Sequence, residues 1–240
     1  MFYCNYASLR CGLSALAVTN LGFSDTPEQL PQYIEATMKV IILGGFLGSG
    51  KTTALMQFAR YLVCVSEPEK VNKVVILENE VGEIGIDDQL LRGGGFTVNN
   101  LFAGCACCTV SGELITAVDR MIRELDPEWL VIETTGIAYP GLMRENLKLA
   151  LGLDSRICAL TDAARWARLR IPMENLLRGQ IECSDIVLIN KIDLSAEDAI
   201  RSMESDIADF APDVPMIRVS ALSEVPNGVW RRVAGIEDRG

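Results

Sequence analysis

None of the 240 residues is histidine. That removes the commonest general base near neutral pH and the commonest metal ligand. Any metal site must then be assembled from Cys, Asp, Glu, backbone carbonyls or water. Positive charge is also in deficit: 22 Lys and Arg stand against 32 Asp and Glu, a formal net charge of −10. An acidic surface repels phosphate backbones and anionic headgroups, so nucleic acid and membrane surfaces are not expected partners. No apolar run is long enough to span a bilayer. The opening stretch MFYCNYASLRCGLSALAVTN ends near a weak cleavage-like Ala15-Leu16-Ala17. Asn5 and Arg10 interrupt it and no basic segment precedes it, so no secretory signal is read and the expected location is cytoplasmic.

What is present is ordinary globular material: 49% hydrophobic residues with 6% aromatic. The length suits one domain, or one with an extension, and buries a sizeable core without covalent staples. Apolar runs alternate with amphipathic segments. Residues 39–45, 72–78, 96–102, 129–133, 156–161, 185–190 and 215–220 read as strands. Residues 51–65, 111–125, 141–150, 173–183 and 195–209 read as helices, the last with a capping-box-like start at Ser195 and Asp198. Residues 80–95 read as a loop with a short helix. The alternation predicts an α/β fold, a mostly parallel sheet with helices on both faces. Residues 1–37 break this rhythm. They read either as a helical surface extension or as sequence upstream of a native start at Met38. Residues 38–240 then form one nucleotide-binding domain.

Gly45-Phe46-Leu47-Gly48-Ser49-Gly50-Lys51-Thr52 satisfies GxxxxGK(S/T), behind an apolar strand and ahead of a helix. Glycines let backbone N–H groups converge on phosphate oxygens. Lys51 puts a cation at the β- and γ-phosphates, and the Thr52 hydroxyl is a ligand for Mg²⁺. Gly45, Gly48, Ser49, Gly50, Lys51, Thr52 and Thr53 are the expected phosphate-binding residues. After the strand 185–190 comes Asn190-Lys191-Ile192-Asp193. The Asp193 carboxylate can accept a pair of hydrogen bonds that guanine offers and adenine does not, which selects GTP over ATP. Asn190 is placed for the base edge and the Lys191 stem for the ring face. Glu133-Thr134-Thr135-Gly136 ends the strand 129–133. An acid there serves Mg²⁺ or one of its waters, and Gly136 can bring an N–H to the γ-phosphate. Lys51, Thr52, Glu133 and Gly136 are therefore the expected catalytic set.

Cys105, Cys107 and Cys108 crowd the stretch Gly104–Cys108. Thiolates are soft ligands that suit Zn²⁺. In extended chain Cys105 and Cys107 share one face and Cys108 takes the other, so a turn at 107–108 is needed to gather all three. A further ligand must come from elsewhere. Glu83 is the expected one, and Glu78 is assigned to the Mg²⁺ neighbourhood or a second metal position. A redox switch and simple burial are the alternatives for these thiols. Cys64 and Cys158 lie in apolar runs and are expected in the core.

GFLGSGKTT, ENEVGEIGID (78–87), GCACCT (104–109), ETTG (133–136), Thr161-Asp162-Ala163 and NKID (190–193) resemble, in content and order, the CobW branch of the GTPase family that includes HypB and UreG. The resemblance implies a P-loop NTPase fold and a cytoplasmic GTP-hydrolysing metallochaperone for zinc, cobalt or nickel. It ties Glu78, Glu83 and the CxCC thiols to metal. It implies a client metalloprotein as partner and a nucleotide- or metal-dependent homodimer. CobW-like chains often add a C-terminal domain and a histidine-rich tract, which residues 38–240 do not carry, and Tyr139-Pro140 stands where Asp-Pro is usual. With no histidine and no evident arginine finger, slow intrinsic hydrolysis is expected. A redox- or metal-sensing GTP switch without metal delivery is the competing function. A small-molecule kinase is disfavoured, because no basic lid segment is present.

Overall fold

The computed structural model describes residues 38–78, 96–100 and 112–237. The strands among them are β1 (Lys39–Gly44), β2 (Val74–Glu78), β3 (Phe96–Asn100), β4 (Trp129–Glu133), β5 (Ser155–Asp162), β6 (Ile186–Asn190) and β7 (Met216–Arg218). The helices are α1 (Lys51–Val65), α2 (Gly112–Leu125), α3 (Pro140–Leu151), α4 (Trp166–Leu169), α5 (Glu174–Ile181), α6 (Glu197–Phe210) and α7 (Asn227–Ala234). One sheet runs in the order β3-β2-β4-β1-β5-β6-β7. Every pairing in it is parallel.

The strands are continuous apolar runs because both faces are covered. Successive side chains alternate between the faces. Ile41, Leu43, Ile76, Val131 and Leu160 point to a cluster built with Leu55, Phe58 and Leu62 of α1 and Trp230 and Val233 of α7. Val40, Ile42, Leu77, Leu130, Ile132 and Ile157 point the other way, to Leu114 and Val118 of α2 and Met143 and Leu147 of α3. Further along the sheet, Ala159, Val187 and Ile189 meet Leu177 and Ile181 of α5 and Ile200, Met203 and Ile207 of α6. The expected α/β architecture is the one observed.

This topology also fixes where a ligand can sit. β1 lies between β4 and β5. The chain leaves β1 toward the β2 side of the sheet and later crosses to β5. A crevice outside the carboxyl ends of the strands opens at such a reversal. Register then sets the row of residues along that rim. Glu78 pairs with Asn100 and with Glu133, and Asp162 pairs with Asn190.

Two local expectations are corrected. Ser195 and Asp198 form no capping box: α6 starts one residue later, with Ala196 at the N-cap and no side-chain cap. The Ser195 hydroxyl instead points back to the Lys191 carbonyl at 3.5 Å, closing the 3₁₀ turn Ile192–Leu194. Cys64 is exposed, whereas Cys158 is buried as expected. The core-facing stripe of α1 is Ala54, Leu55, Phe58, Ala59, Tyr61 and Leu62, and position 64 falls outside it. Helix α7 was not anticipated from sequence. Residues 1–37, the loop 80–95, Glu83 and the three clustered cysteines lie outside the described residues.

Candidate functional site

The crevice is floored by the loop that joins β1 to α1. Gly45 turns the chain off the strand, and Gly48 and Gly50 adopt left-handed φ of 72° and 96°. Alternating right- and left-handed residues point successive N–H groups into one concavity, an anion-binding nest. Gly50 is the N-cap of α1 and provides no side-chain cap, and the first turn carries no acidic residue. The first-turn amides of Lys51, Thr52 and Thr53 have no intrahelical acceptor by geometry and suit phosphate. Lys51 is buried, at 4% exposure, which is unusual for lysine outside a site. Ser49, Thr134 and Thr135 each hold a buried hydroxyl with no hydrogen-bond partner among the described residues. Hydroxyls left unmatched around an amide nest fit a polar anionic ligand such as a nucleotide phosphate.

Thr52 and Glu133 meet beside this nest. The Thr52 hydroxyl donates to Glu133 Oε1 at 3.0 Å. Glu133 itself is 2% exposed, at the end of β4. A hydroxyl and a carboxylate at the end of a phosphate cradle are the hard oxygen donors that Mg²⁺ takes, so the residues fit that ion. Glu78 is half-buried at the carboxyl end of β2, the register neighbour of Glu133. Gly136 packs so closely on the P-loop that a Cβ there would lie 2.5 Å from the Leu47 nitrogen. Among the described residues no cluster of three metal-ligating side chains forms.

On the base side, Asn190 ties two loops together. Its Nδ2 donates to the Ser49 carbonyl at 2.8 Å, and its Oδ1 accepts from the Ala221 N–H at 2.8 Å. Lys191 takes a left-handed φ of 63°, and its Nζ donates to the Gly48 carbonyl at 2.7 Å and to Asp162 Oδ2 at 2.8 Å. Asp193 is exposed on the 3₁₀ turn, where its carboxylate is open to a base.

Three participants were missed from sequence. Arg165 donates through Nε to Asp162 Oδ2 at 2.7 Å and through Nη2 to the Leu47 carbonyl. Its only sequence signal was an arginine three residues past a strand-end aspartate. Burial pushes the Asp162 carboxyl upward, but hydrogen bonds from Lys191 and Arg165, with their charges, outweigh it and hold it below the usual carboxylate range. Gln180 of α5, 2% exposed, donates to the carbonyls of Gly136 and Ala138, each at 3.1 Å. Gln57 of α1 holds the loop after β7 by donating to Ala221 and Ser223 carbonyls and accepting from Val225 N–H. A glutamine in a helix reads as surface, so no pattern could have flagged these two.

Residues 39–218 match the family model "CobW/HypB/UreG, nucleotide-binding domain". The chain belongs to this family. Its relatives include the zinc chaperone YjiA of Escherichia coli, 33% identical over 66% of this chain and 50% of the relative. The zinc chaperone YeiR of E. coli is 29% identical over 68% of this chain and 49% of the relative. A zinc-regulated GTPase metalloprotein activator of Dictyostelium discoideum is 27% identical over 79% and 47%. The chain thus spans about half the length of these curated relatives. Zn(II)-bound YjiA superposes with a TM-score of 0.58 at 24% identity, covering 84% of this chain and 63% of that one. HypB from Archaeoglobus fulgidus gives 0.58 at 18% identity, covering 83% and 90%. At these identities the two structures speak for the shared P-loop GTPase fold alone. Among the described residues no helix is long and apolar enough to cross a membrane.

Proposed function

We propose that this chain binds GTP, hydrolyses it slowly, and couples the nucleotide state to carriage of a transition metal for a client metalloprotein. Zinc is the first candidate and cobalt or nickel the others. One observation carries the nucleotide half: an uncapped P-loop nest whose helix start, at Thr52, hydrogen-bonds a buried strand-end acid at 3.0 Å. In this reading the amides of Gly48 and of residues 50–53 hold the phosphates, the Ser49 amide donating to the Phe46 carbonyl. Lys51 stabilises charge on the oxygens of the transferring group. Thr52 and Glu133 would hold Mg²⁺, which would draw off developing charge between the β- and γ-phosphates. The Gly136 N–H would serve the γ-phosphate, and Asp193 would read guanine.

The metal half is supported by three facts. The zinc chaperones YeiR and YjiA are 29% and 33% identical to this chain. The sequence holds Cys105, Cys107 and Cys108 and no histidine. The segments that carry Glu83 and those thiols follow in sequence directly after Glu78 and Asn100, the carboxyl ends of β2 and β3, in register with Glu133. The proposed ligands for the metal are the three thiolates with Glu83, and Glu78 is assigned to the Mg²⁺ neighbourhood or a second metal position. Linkage makes the coupling reciprocal: if GTP alters metal affinity, metal alters GTP affinity by the same factor.

The test is a competition titration of Zn²⁺ against a chromogenic chelator, with GDP and with a non-hydrolysable GTP analogue, beside turnover assays with and without metal. Affinity should differ between nucleotide states, and Cys107→Ser should weaken metal binding while sparing GTP binding. Equal metal affinity in both states leaves a passive thiol site and removes the coupling.

A further inference from the structure

The Arg165 guanidinium and the P-loop are joined in a way that the nucleotide reading above does not require. Three successive P-loop carbonyls each receive a side-chain donor. Leu47 accepts from Arg165 Nη2, Gly48 from Lys191 Nζ and Ser49 from Asn190 Nδ2. The first two donors share one seat, since Asp162 Oδ2 accepts from Arg165 Nε at 2.7 Å and from Lys191 Nζ at 2.8 Å. The Asp162 side chain is 2% exposed, so this shared seat is shielded from solvent. The guanidinium also lies against the Phe46 ring, 5.9 Å from its centroid. A Cβ on Gly48 would stand 3.0 Å from Arg165 Nη2, so the guanidinium rests directly on the loop backbone.

In a peptide unit the carbonyl and N–H point in opposite directions. Drawing the carbonyls of Leu47 and Ser49 outward therefore turns the following amides, those of Gly48 and Gly50, inward to the nest, while the Ser49 amide between them closes the turn by donating to the Phe46 carbonyl at 3.1 Å. We propose that Arg165, seated by Asp162, is a positioning residue that preorganises the P-loop amides for the phosphate shared by GTP and GDP. The planar fork of arginine bridges Asp162 and the Leu47 carbonyl at once. Arg165 sets a separate nitrogen on each acceptor, Nε on Asp162 and Nη2 on Leu47, whereas a lysine at position 165 would bring one nitrogen for both. The inference rests on the nucleotide reading above.

The experiment measures binding of fluorescent GTP, GDP and GMP by the full chain, as wild type and as Arg165→Ala, Arg165→Lys and Asp162→Asn. Arg165→Ala should weaken GTP and GDP by the same factor, roughly tenfold, on the scale of a lost charge-assisted hydrogen bond. GMP, which lacks the β-phosphate, should change little. Arg165→Lys should behave like Arg165→Ala, because the fork and not the charge is required. Combining Arg165→Ala with Asp162→Asn should weaken binding less than the product of the single effects, since both act through one seat. Arg165 is partly exposed, so its variants should keep the wild-type circular dichroism spectrum even if Asp162→Asn does not. Loss of GTP binding alone would make Arg165 a γ-phosphate contact and overturn the proposal, as would full recovery by Arg165→Lys or unchanged binding in Arg165→Ala. A wild type that binds no guanine nucleotide would overturn the nucleotide reading together with this one.

Discussion

At the scale of single residues, chemistry and packing separate cleanly. Lys51 is buried in the cradle, and in the proposed function its amine serves by charge rather than volume. Lys51→Ala should cut kcat roughly 10²–10³-fold, the loss typical of one preorganised donor, with the far-ultraviolet dichroism unchanged; a steady-state phosphate-release assay reads it. Asp193 sits exposed on its 3₁₀ turn, with no packing role to confuse a substitution. Asp193→Asn should erase the preference for GTP over ATP by about 1–3 kcal/mol, the cost of mismatched polar groups, measured by competition binding. Cys158 shows the opposite case. Burial pushes its thiol up to about 12, so it is inert in the folded chain. Among the described thiols, Cys64 and Cys183 are exposed and should alkylate first, with Cys158 reacting only on unfolding, as peptide mass mapping would show. The P-loop, NKID and ETTG residues were legible because their chemistry needs fixed types at fixed spacing. Arg165 and Asp162 were not, because the seat they form exists only when the end of β5 lies beside the P-loop.

At the scale of elements, the strands β1, β4, β5 and β6 were the easiest to read, since a strand buried on both faces must be apolar throughout. Helix α1 was equally plain, from its stripe of core residues. Helix α7 was not: Asn227–Ala234 is two turns long and contains Gly228, so its pattern is weak. Packing decides it, through Trp230 lying 5.5 Å from Phe58 of α1. Helix α5 matters for what it holds. Gln180 supplies the hydrogen bonds of two carbonyls, at Gly136 and Ala138, and Gly179 lies under the Tyr139 ring. Gln180→Leu keeps the volume but strands both carbonyls, and it should destabilise the domain by about 1–3 kcal/mol in urea titrations. The same change loosens the Gly136 loop, so kcat should fall more than GTP affinity does.

At the scale of the whole molecule, acidity governs how stability follows pH and salt. Hydrogen bonds from Arg201 and Arg218 hold Glu197 below its ordinary value, and a hydrogen bond from Arg218 does the same for Glu204. Asp162 is held low by Lys191 and Arg165 against the upward push of burial. A carboxyl depressed in the folded state stabilises the fold above its unfolded pKa, about 4, and that stability is lost as pH falls through the folded value. Thermal stability should therefore be flat near neutrality and drop below about pH 4. In high salt the contribution of the exposed Glu197, and in part that of the half-buried Glu204, should fade, whereas the Asp162 contribution should persist because its side chain is buried. Asp162→Asn should flatten the acid limb that remains in salt, read from melting curves across pH. The sequence by itself determined the α/β class, the P-loop and the family, because periodicity and motif spacing are local properties of the chain. Only the tertiary structure decided that Glu78 stands beside Glu133, that Thr52 meets Glu133, and that Arg165, Lys191 and Asn190 cap three consecutive P-loop carbonyls. Those contacts join residues far apart in the chain, and strand order and parallel register bring them together.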